Sequence, residues 1–322
     1  MTILLTGGAG FIGSHLAERL LAEGHTVVCL DNLDAYYDPA TKRRNIGPAL
    51  PHERYAFVEG DIRDAGLVAD LFGRWGVEAV VHLAARAGVR PSVQNPALYF
   101  DVNVQGTLTL LQAMQRAGVR KMVFASSSSV YGDAATAPFA ETEPCDRPLS
   151  PYAASKRAAE LLCHTFHHLY GLDIFCLRFF TVYGPRQRPE MAISQFTDQI
   201  LHGRAIPVFG DGSTSRDYTF VEDIVSGLVQ SLYQVKGYEV LNIGGADPIS
   251  LAGLIRTIEA AVGKPAVLEF NPMQPGDVQR TYADIRKAAA LIGYAPGVPL
   301  REGVQRFVDW YTGQTRPQLR AV

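Results

Sequence analysis

The chain has 322 residues, with 30 basic against 32 acidic side chains, a formal net charge of -2 and a pI near 6.4. This balance, with no run of Lys or Arg, argues against nucleic acid or an anionic membrane surface as partner. Hydrophobic residues make up 47%, enough for a large core, but the apolar stretches are short and broken by Gly, so none reads as a membrane span.

Met1-Thr2-Ile3-Leu4-Leu5 lacks the charged region of a signal peptide. Cys29, Cys145, Cys163 and Cys176 have neither metal nor redox spacing. They read as reduced thiols of a cytoplasmic protein without a metal site.

Ile3-Leu4-Leu5 runs into Thr6-Gly7-Gly8-Ala9-Gly10-Phe11-Ile12-Gly13, and Ile12, Leu16, Ala17, Leu20 and Leu21 then mark an amphipathic helix closing at Gly24. Strand, Gly-rich turn and helix is the context of a dinucleotide fingerprint. Gly7, Gly10 and Gly13 let the backbone approach a pyrophosphate, which sits at the positive end of the helix. A second strand, 26–30, ends in Asp31. A carboxylate there accepts ribose hydroxyls and repels a 2′-phosphate, which favours NAD over NADP; otherwise Asp31 caps the next segment.

The stretch 32–54 reads as a polar loop, and Tyr55–Val58 as a third strand. Asp61 then faces an adenine amine with Ile62 over the ring, or Asp61 caps a helix beginning near Asp64. Glu78–Leu83 is continuously apolar, as a buried parallel strand should be. It ends in Ala84-Ala85, small enough for a ligand to lie across. Arg86 and Arg90 suit an anionic substrate at that edge, or are surface charges; the spacing leaves both open.

Pro96 opens a long helix to about Ala117, with Asn103 on it, and Lys121–Ala125 is a fifth strand delivering Ser126–Ser129. A helix from Pro151 to Tyr170 places Tyr152 and Lys156 one turn apart on one face. An ammonium beside a phenol lowers the phenol's pKa. With a Ser127 hydroxyl holding a substrate oxygen nearby, this is equipment for moving a proton on or off a carbinol while hydride moves elsewhere. The outer positions Leu161, Leu162, Phe166 and Leu169 are broader than one core face needs, which a helix from a second subunit would explain.

Leu172–Phe180 is a sixth strand, after which the pattern changes. A loop over 181–189, a helix from Glu190 to His202, a strand Ile206–Phe209, a helix from Glu222, a late strand Tyr238–Ile243 and helices near 284–292 and 300–313 follow. The fold class is α/β: a doubly wound parallel sheet over 1–180, and a smaller α/β substrate lobe over 181–322 from which 238–243 returns to the main sheet. Arg186, Arg188 and Arg216 are available for a pyrophosphate or are scattered surface charges.

Together these motifs resemble the extended short-chain dehydrogenase/reductase family, nearly end to end, and within it the nucleotide-sugar 4-epimerases. The residues that carry this are Thr6–Gly13, Asp31-Asn32-Leu33, Gly60-Asp61-Ile62, His82–Ala85, Ser126–Gly132, Tyr152–Lys156, Arg178–Pro185, Arg216-Asp217-Tyr218 and Pro275-Gly276-Asp277. Tyr36-Tyr37-Asp38-Pro39, Arg86–Arg90, the four serines and Arg188-Pro189 are most similar to UDP-glucuronate 4-epimerases. The resemblance implies Tyr152 as acid and base, Lys156 on the nicotinamide ribose lowering the Tyr152 pKa, and Ser127 holding the sugar 4-oxygen. It implies NAD against Gly7, Gly10, Phe11, Ile12, Gly13, Asp31, Asn32, Asp61, Ile62, Leu83, Ala84, Ala85 and Asn103. It implies a UDP-sugar against Arg86, Arg90, Ser126, Ser128, Thr181, Arg188, Arg216, Gln274 and Asp277, with Phe209 stacked on uracil. It also implies a homodimer through the helices near 97–117 and 151–170.

Thr181 stands where galactose epimerases usually carry Asn, and Gln274 where they tend to carry Arg. Related 4,6-dehydratases have an Asp-Glu pair where this chain has Ser128-Ser129, and decarboxylases of UDP-glucuronate have Glu at the place of Ser129. The rival readings are another UDP-hexose 4-epimerase, for galactose or N-acetylhexosamine sugars, and a non-catalytic NAD-binding regulator. The intact Ser127, Tyr152 and Lys156 set argues against the regulator.

Overall fold

The computed structural model describes residues 1–133, 136–272 and 279–315. Its first half alternates strand and helix: β1 (Thr2–Thr6), α1 (Phe11–Ala22), β2 (Thr26–Asp31), α2 (Pro39–Ile46), β3 (Tyr55–Glu59), α3 (Ala65–Trp75) and β4 (Ala79–His82). Then come α4 (Val89–Gln94), α5 (Pro96–Phe100), a π-helical turn (Asp101–Gln105), α6 (Gly106–Ala117), β5 (Lys121–Ser127), a 3₁₀ turn (Ser128–Tyr131), α7 (Pro151–Tyr170) and β6 (Asp173–Phe179). The second half holds β7 (Thr181–Tyr183), α8 (Ala192–Leu201), β8 (Ala205–Phe209), β9 (Ser215–Phe220), α9 (Val221–Gln234) and β10 (Tyr238–Ile243). It closes with β11 (Pro248–Ser250), α10 (Leu251–Val262), β12 (Val267–Asn271), α11 (Arg286–Ile292) and α12 (Leu300–Thr315).

Seven strands form one parallel sheet in the order β10-β6-β5-β4-β1-β2-β3. Alternate residues of each strand feed opposite faces: Ile3 and Leu5 enter one core with α1 and α9, while Leu4 enters the other with α3, α6 and α7. Because both faces are covered, the middles of the central strands are mostly apolar, as in Ile3-Leu4-Leu5 and Val27-Val28-Cys29-Leu30. The chain runs outward from β1 to β3, then returns to β4 on the other side of β1. That reversal opens a crevice at the carboxyl ends of β1 and β4, the usual ligand position in such sheets. β10 joins the sheet beside β6. The other strands make two small sheets, β11-β9-β7 and β12-β8, above that edge.

Several elements differ from the sequence reading, among them β7 at the start of the 181–189 loop, and β9, β11, α10 and β12, which have no counterpart in it. The stretch read as a loop contains α2, because Asp38 accepts from Ala40 N–H and Pro39 occupies the first helical position. The long helix from Pro96 is not continuous α-helix: one π-helical turn, 101–105, lies between α5 and α6. Apolar spacing does not register one widened turn, and such turns often sit at functional sites. Among the described residues, no helix is long and apolar enough to cross a membrane.

Candidate active site

The crevice is a cavity of about 450 Å³, the size of a small-ligand site. One end is built from backbone. Gly7 takes a left-handed conformation, φ +73°, and a Cβ there would lie 2.6 Å from Ala84 N. A Cβ on Gly13 would lie 2.3 Å from Gly7 O, so only glycine lets the turn fold under the start of α1. Gly10 caps α1 without a side-chain hydrogen bond, and no acidic residue occupies the first turn, which leaves the positive helix end facing the cavity.

Asp31 closes this end. Its two oxygens accept from Ala9 N–H at 3.1 Å and Leu33 N–H at 2.9 Å, so a carboxylate still has lone pairs for a ligand hydroxyl. Burial raises its pKa, against the charge of Lys42, which also lines the cavity. Asn32, Asp61, Ile62, Leu83, Ala84 and Ala85 line the same end. Asp61 does not cap α3; Asp64 does, through Gly66 and Leu67 N–H. The Asp61 carboxylate is held by Arg63 and Asn32, which draw its pKa down to about 2.

The middle of the cavity brings together Ser127, Tyr152 and Lys156. Ser150 caps α7 through Ala153 N–H, and Pro151 begins it, which places Tyr152 in the first turn. Ser127 Oγ, on the same cavity wall, donates to Ser129 Oγ at 3.2 Å, and Tyr99 stacks edge-on to Tyr152 at 6.2 Å. The expected lowering of the Tyr152 pKa by Lys156 is corrected here. Burial raises the phenol's pKa; the nearby Ser127 hydroxyl and the Arg188 charge oppose that rise. Lys156 Nζ instead donates to Ala125 O at 2.7 Å and lies 5.0 Å from the centre of the Phe124 ring, and burial lowers the ammonium to about 8. The Ala125 carbonyl, near the end of β5, takes the lysine's hydrogen bond in place of the phenol.

The far end is made of side chains, from loops and from the ends of β5 and β7. Arg86, Ser126, Ser128, Thr181 and Arg188 line it, with Tyr36, Tyr37 and Met191. The Tyr36 ring lies between two guanidinium groups, Arg86 at 5.2 Å and Arg188 at 5.6 Å. Arg86 is paired with Asp34, and Arg188 with Glu190 at 3.2 Å. Ser126 lines the cavity, but its hydroxyl donates to buried Glu160 at 2.5 Å.

Four expected contacts lie outside the cavity lining. Asn103 sits in the π-helical turn; it accepts from Arg86 N–H at 2.7 Å and donates to Ser155 Oγ at 2.9 Å, so it braces the Arg86 loop against α7. Arg90 and Phe209 lie against each other, 6.0 Å apart. Arg216 Nη1 donates to Ser215 O at 2.9 Å. Gln274 and Asp277 lie outside the described residues. Sequence reasoning did not place Lys42, Asp34 or Glu160 at the site; the Asp38-Pro39 start of α2 would have pointed to Lys42, whereas nothing local marks the other two.

A parallel sheet with this strand order, a glycine turn under a helix start and a Ser-Tyr-Lys set in one crevice define a dinucleotide-dependent enzyme acting at a carbinol carbon. Residues 3–244 match the NAD dependent epimerase/dehydratase family, and the chain belongs to it. A UDP-glucuronate 4-epimerase of Thermodesulfobacterium geofontis is 45% identical over 95% of either chain. The crystal structure of a UDP-glucuronic acid 4-epimerase from Bacillus cereus, in complex with UDP-glucuronic acid and NAD, superimposes with a TM-score of 0.91 at 37% identity, covering 98% of this chain and 100% of that one. A dTDP-glucose 4,6-dehydratase from Streptomyces venezuelae, with NAD bound, reaches the same TM-score at 35% identity, with 98% of each chain covered. Backbone likeness therefore does not separate the two reactions; the side chains must.

Proposed function

We propose that the protein is an NAD-dependent 4-epimerase that interconverts UDP-glucuronate and UDP-galacturonate through a 4-keto sugar. The observation that carries this reading is the serine run: Ser127 lines one cavity with Tyr152, while Ser128 and Ser129 stand where dehydratases and decarboxylases of the family carry acids. With serines there, that position offers no general acid or base to eliminate water from the sugar, and the proton chemistry falls to Tyr152.

The residues present fit NAD. The Gly7–Gly13 turn and the uncapped start of α1 suit its pyrophosphate, Asp31 suits the ribose hydroxyls, and Lys156 faces the same cavity. NAD, when bound, supplies the hydride acceptor and then the hydride donor at sugar C4. Tyr152 takes the 4-hydroxyl proton, and Ser127 holds the oxygen it leaves. The Ser127 hydroxyl and the Arg188 charge both favour the phenolate that this requires. The 4-keto ring then turns over, so that C4 presents its other face to the returning hydride, and Tyr152 gives the proton back to the same 4-oxygen. Ser128 and Thr181 hold the sugar carboxylate by short hydroxyl donors, which leave the ring room to rotate. Arg86 and Arg188 take the diphosphate.

A division into a cofactor half (1–180) and a smaller sugar lobe (181–322), from which 238–243 returns to the main sheet, is supported by Thr181 and Arg188 in the cavity wall, though Arg86, Ser127 and Ser128 reach the sugar from the first half. A homodimer through α5–α6 and α7 is supported by exposed Phe100, Leu161 and Leu169, which are 43%, 53% and 60% accessible. A cytoplasmic location agrees with four free, buried cysteines. The test is to incubate the protein with UDP-glucuronate and no added reductant and follow products by NMR. UDP-galacturonate is the expected product; turnover of UDP-galactose or UDP-N-acetylhexosamines with none of UDP-glucuronate would move the assignment to those sugars.

A further inference from the structure

We propose that the buried pair Glu160–Arg178, together with Ser126, is the device that sets Ser127 against Tyr152. The inference rests on Tyr152 being the acid–base group. Tyr152, Lys156 and Glu160 lie on successive turns of one face of α7. The first two line the cavity; Glu160 lies behind it, fully buried. Its Oε1 accepts from Arg178 Nε at 2.9 Å and Ser126 Oγ at 2.5 Å, and its Oε2 accepts from Arg178 Nη2 and Arg157 Nη1, each at 2.9 Å. Ser126 and Arg178 are register partners across β5 and β6. One carboxylate thus pins α7 to the ends of both strands.

Ser127 is bracketed by this network on either side along the chain. Ser126 precedes it. Past it, the Arg178 guanidinium lies 4.8 Å over the ring of Tyr131, the last residue of the 3₁₀ turn that Ser127 caps. Tyr131 Oη in turn donates to Asn242 Oδ1 on β10 at 2.6 Å. A buried ion pair is weak support for stability, because desolvation offsets most of its attraction. What this one supplies is a fixed position: a two-pronged guanidinium–carboxylate contact admits little sliding of helix against strand.

The consequence falls on Tyr152. A hydroxyl that donates to a phenolate stabilises the charged form, so a looser Ser127 raises the phenol's pKa. The other groups facing Tyr152 are Lys156 from α7, Arg188 from the loop after β7 and Tyr99 from α5. Glu160 faces Arg157, Arg178, Ser126 and, at its backbone oxygen, Tyr238 of β10. Ser126→Ala removes one hydrogen bond from the network and changes none of these charges, which makes it the clean variant. Arg178→Lys keeps the charge but not the fork.

The experiment titrates Tyr152 by NMR in protein with ring-labelled tyrosine, Tyr152→Phe identifying its resonance, alongside steady-state kinetics. Ser126→Ala is expected to raise the Tyr152 pKa by about half a unit to one unit, the worth of one hydrogen bond. It should also lower kcat about threefold to tenfold with KM for the UDP-sugar unchanged. Arg178→Lys should shift the titration the same way. A rise in KM with the Tyr152 titration unmoved would place Ser126 on the sugar and overturn the proposal. A lowered melting temperature with titration and kcat both unmoved would reduce the network to a structural one and also overturn it. The titration needs no substrate, so it reads the proposal even if UDP-glucuronate proves to be the wrong sugar.

Discussion

The two ends of the cavity are made differently. The cofactor end is backbone: a glycine turn, a bare helix start and one carboxylate at a strand end. The end we assign to the sugar is side chains, and its charged groups, all on loops, already have partners within the protein, Arg86 with Asp34 and Arg188 with Glu190. A backbone site is fixed by the fold and suits a ligand that stays. A site of paired loop side chains must exchange partners when its ligand arrives, which suits a ligand that comes and goes and whose identity differs among relatives.

The largest effect should come from the residue where the two ends meet. Tyr152→Phe is expected to lower turnover by roughly 10²–10⁴-fold, while NAD content after purification is unchanged. Loss of NAD along with activity would break the separation of the two ends.

Lys156 offers a pH test at the same junction. Burial lowers its ammonium from 10.5 to about 8. Between those values the unfolded chain holds the proton more tightly, so stability should rise with pH from about 8 to about 10.5. Below pH 8 the cost of burying the charge is fully felt, about 3 kcal/mol. In Lys156→Met that rise should vanish. Urea midpoints at about pH 7 and about pH 9.5 decide it; equal slopes for both proteins would show that the lysine does not titrate in this window.

Asp31→Ala sharpens the cofactor end. It removes the carboxylate that repels a 2′-phosphate and leaves the Lys42 charge nearby without it. NAD binding should weaken by about tenfold and NADP binding strengthen, as measured by calorimetry. An unchanged preference would assign the discrimination elsewhere.

The smallest effect belongs to the sugar end. Thr181→Ala should slow UDP-glucuronate about threefold more than an uncharged UDP-hexose, a difference below one hydrogen bond's usual worth. It should also raise the share of UDP-pentose, because a β-keto acid loses CO₂ once its carboxylate stands perpendicular to the carbonyl. An unchanged product ratio with equal losses on both sugars would remove Thr181 from the carboxylate.

The same contrast governs what the sequence disclosed. The glycine turn, Asp31 and the Tyr152–Lys156 spacing were legible because each is local: a strand, a turn and a helix in fixed order. The direction of the Tyr152 pKa was not legible, because it depends on burial and on where Lys156 Nζ points, and Ala125 O decides the latter. Asn103 was readable as a site helix residue, but a π-helical turn turns its amide toward Arg86 and Ser155 rather than the cavity. Glu160 was silent, since its partners Ser126 and Arg178 come from two strands that only the folded sheet sets side by side.

The place of β10 has a consequence for how the protein is made. It pairs with the outer edge of β6, yet it is synthesised after β7, β8 and β9. While the ribosome is building those strands, the nascent sheet has a bare edge of unpaired amides and carbonyls, the surface that templates association between chains. A ribosome that stops short of residue 238 therefore releases a sticky fragment, and not a smaller version of the enzyme.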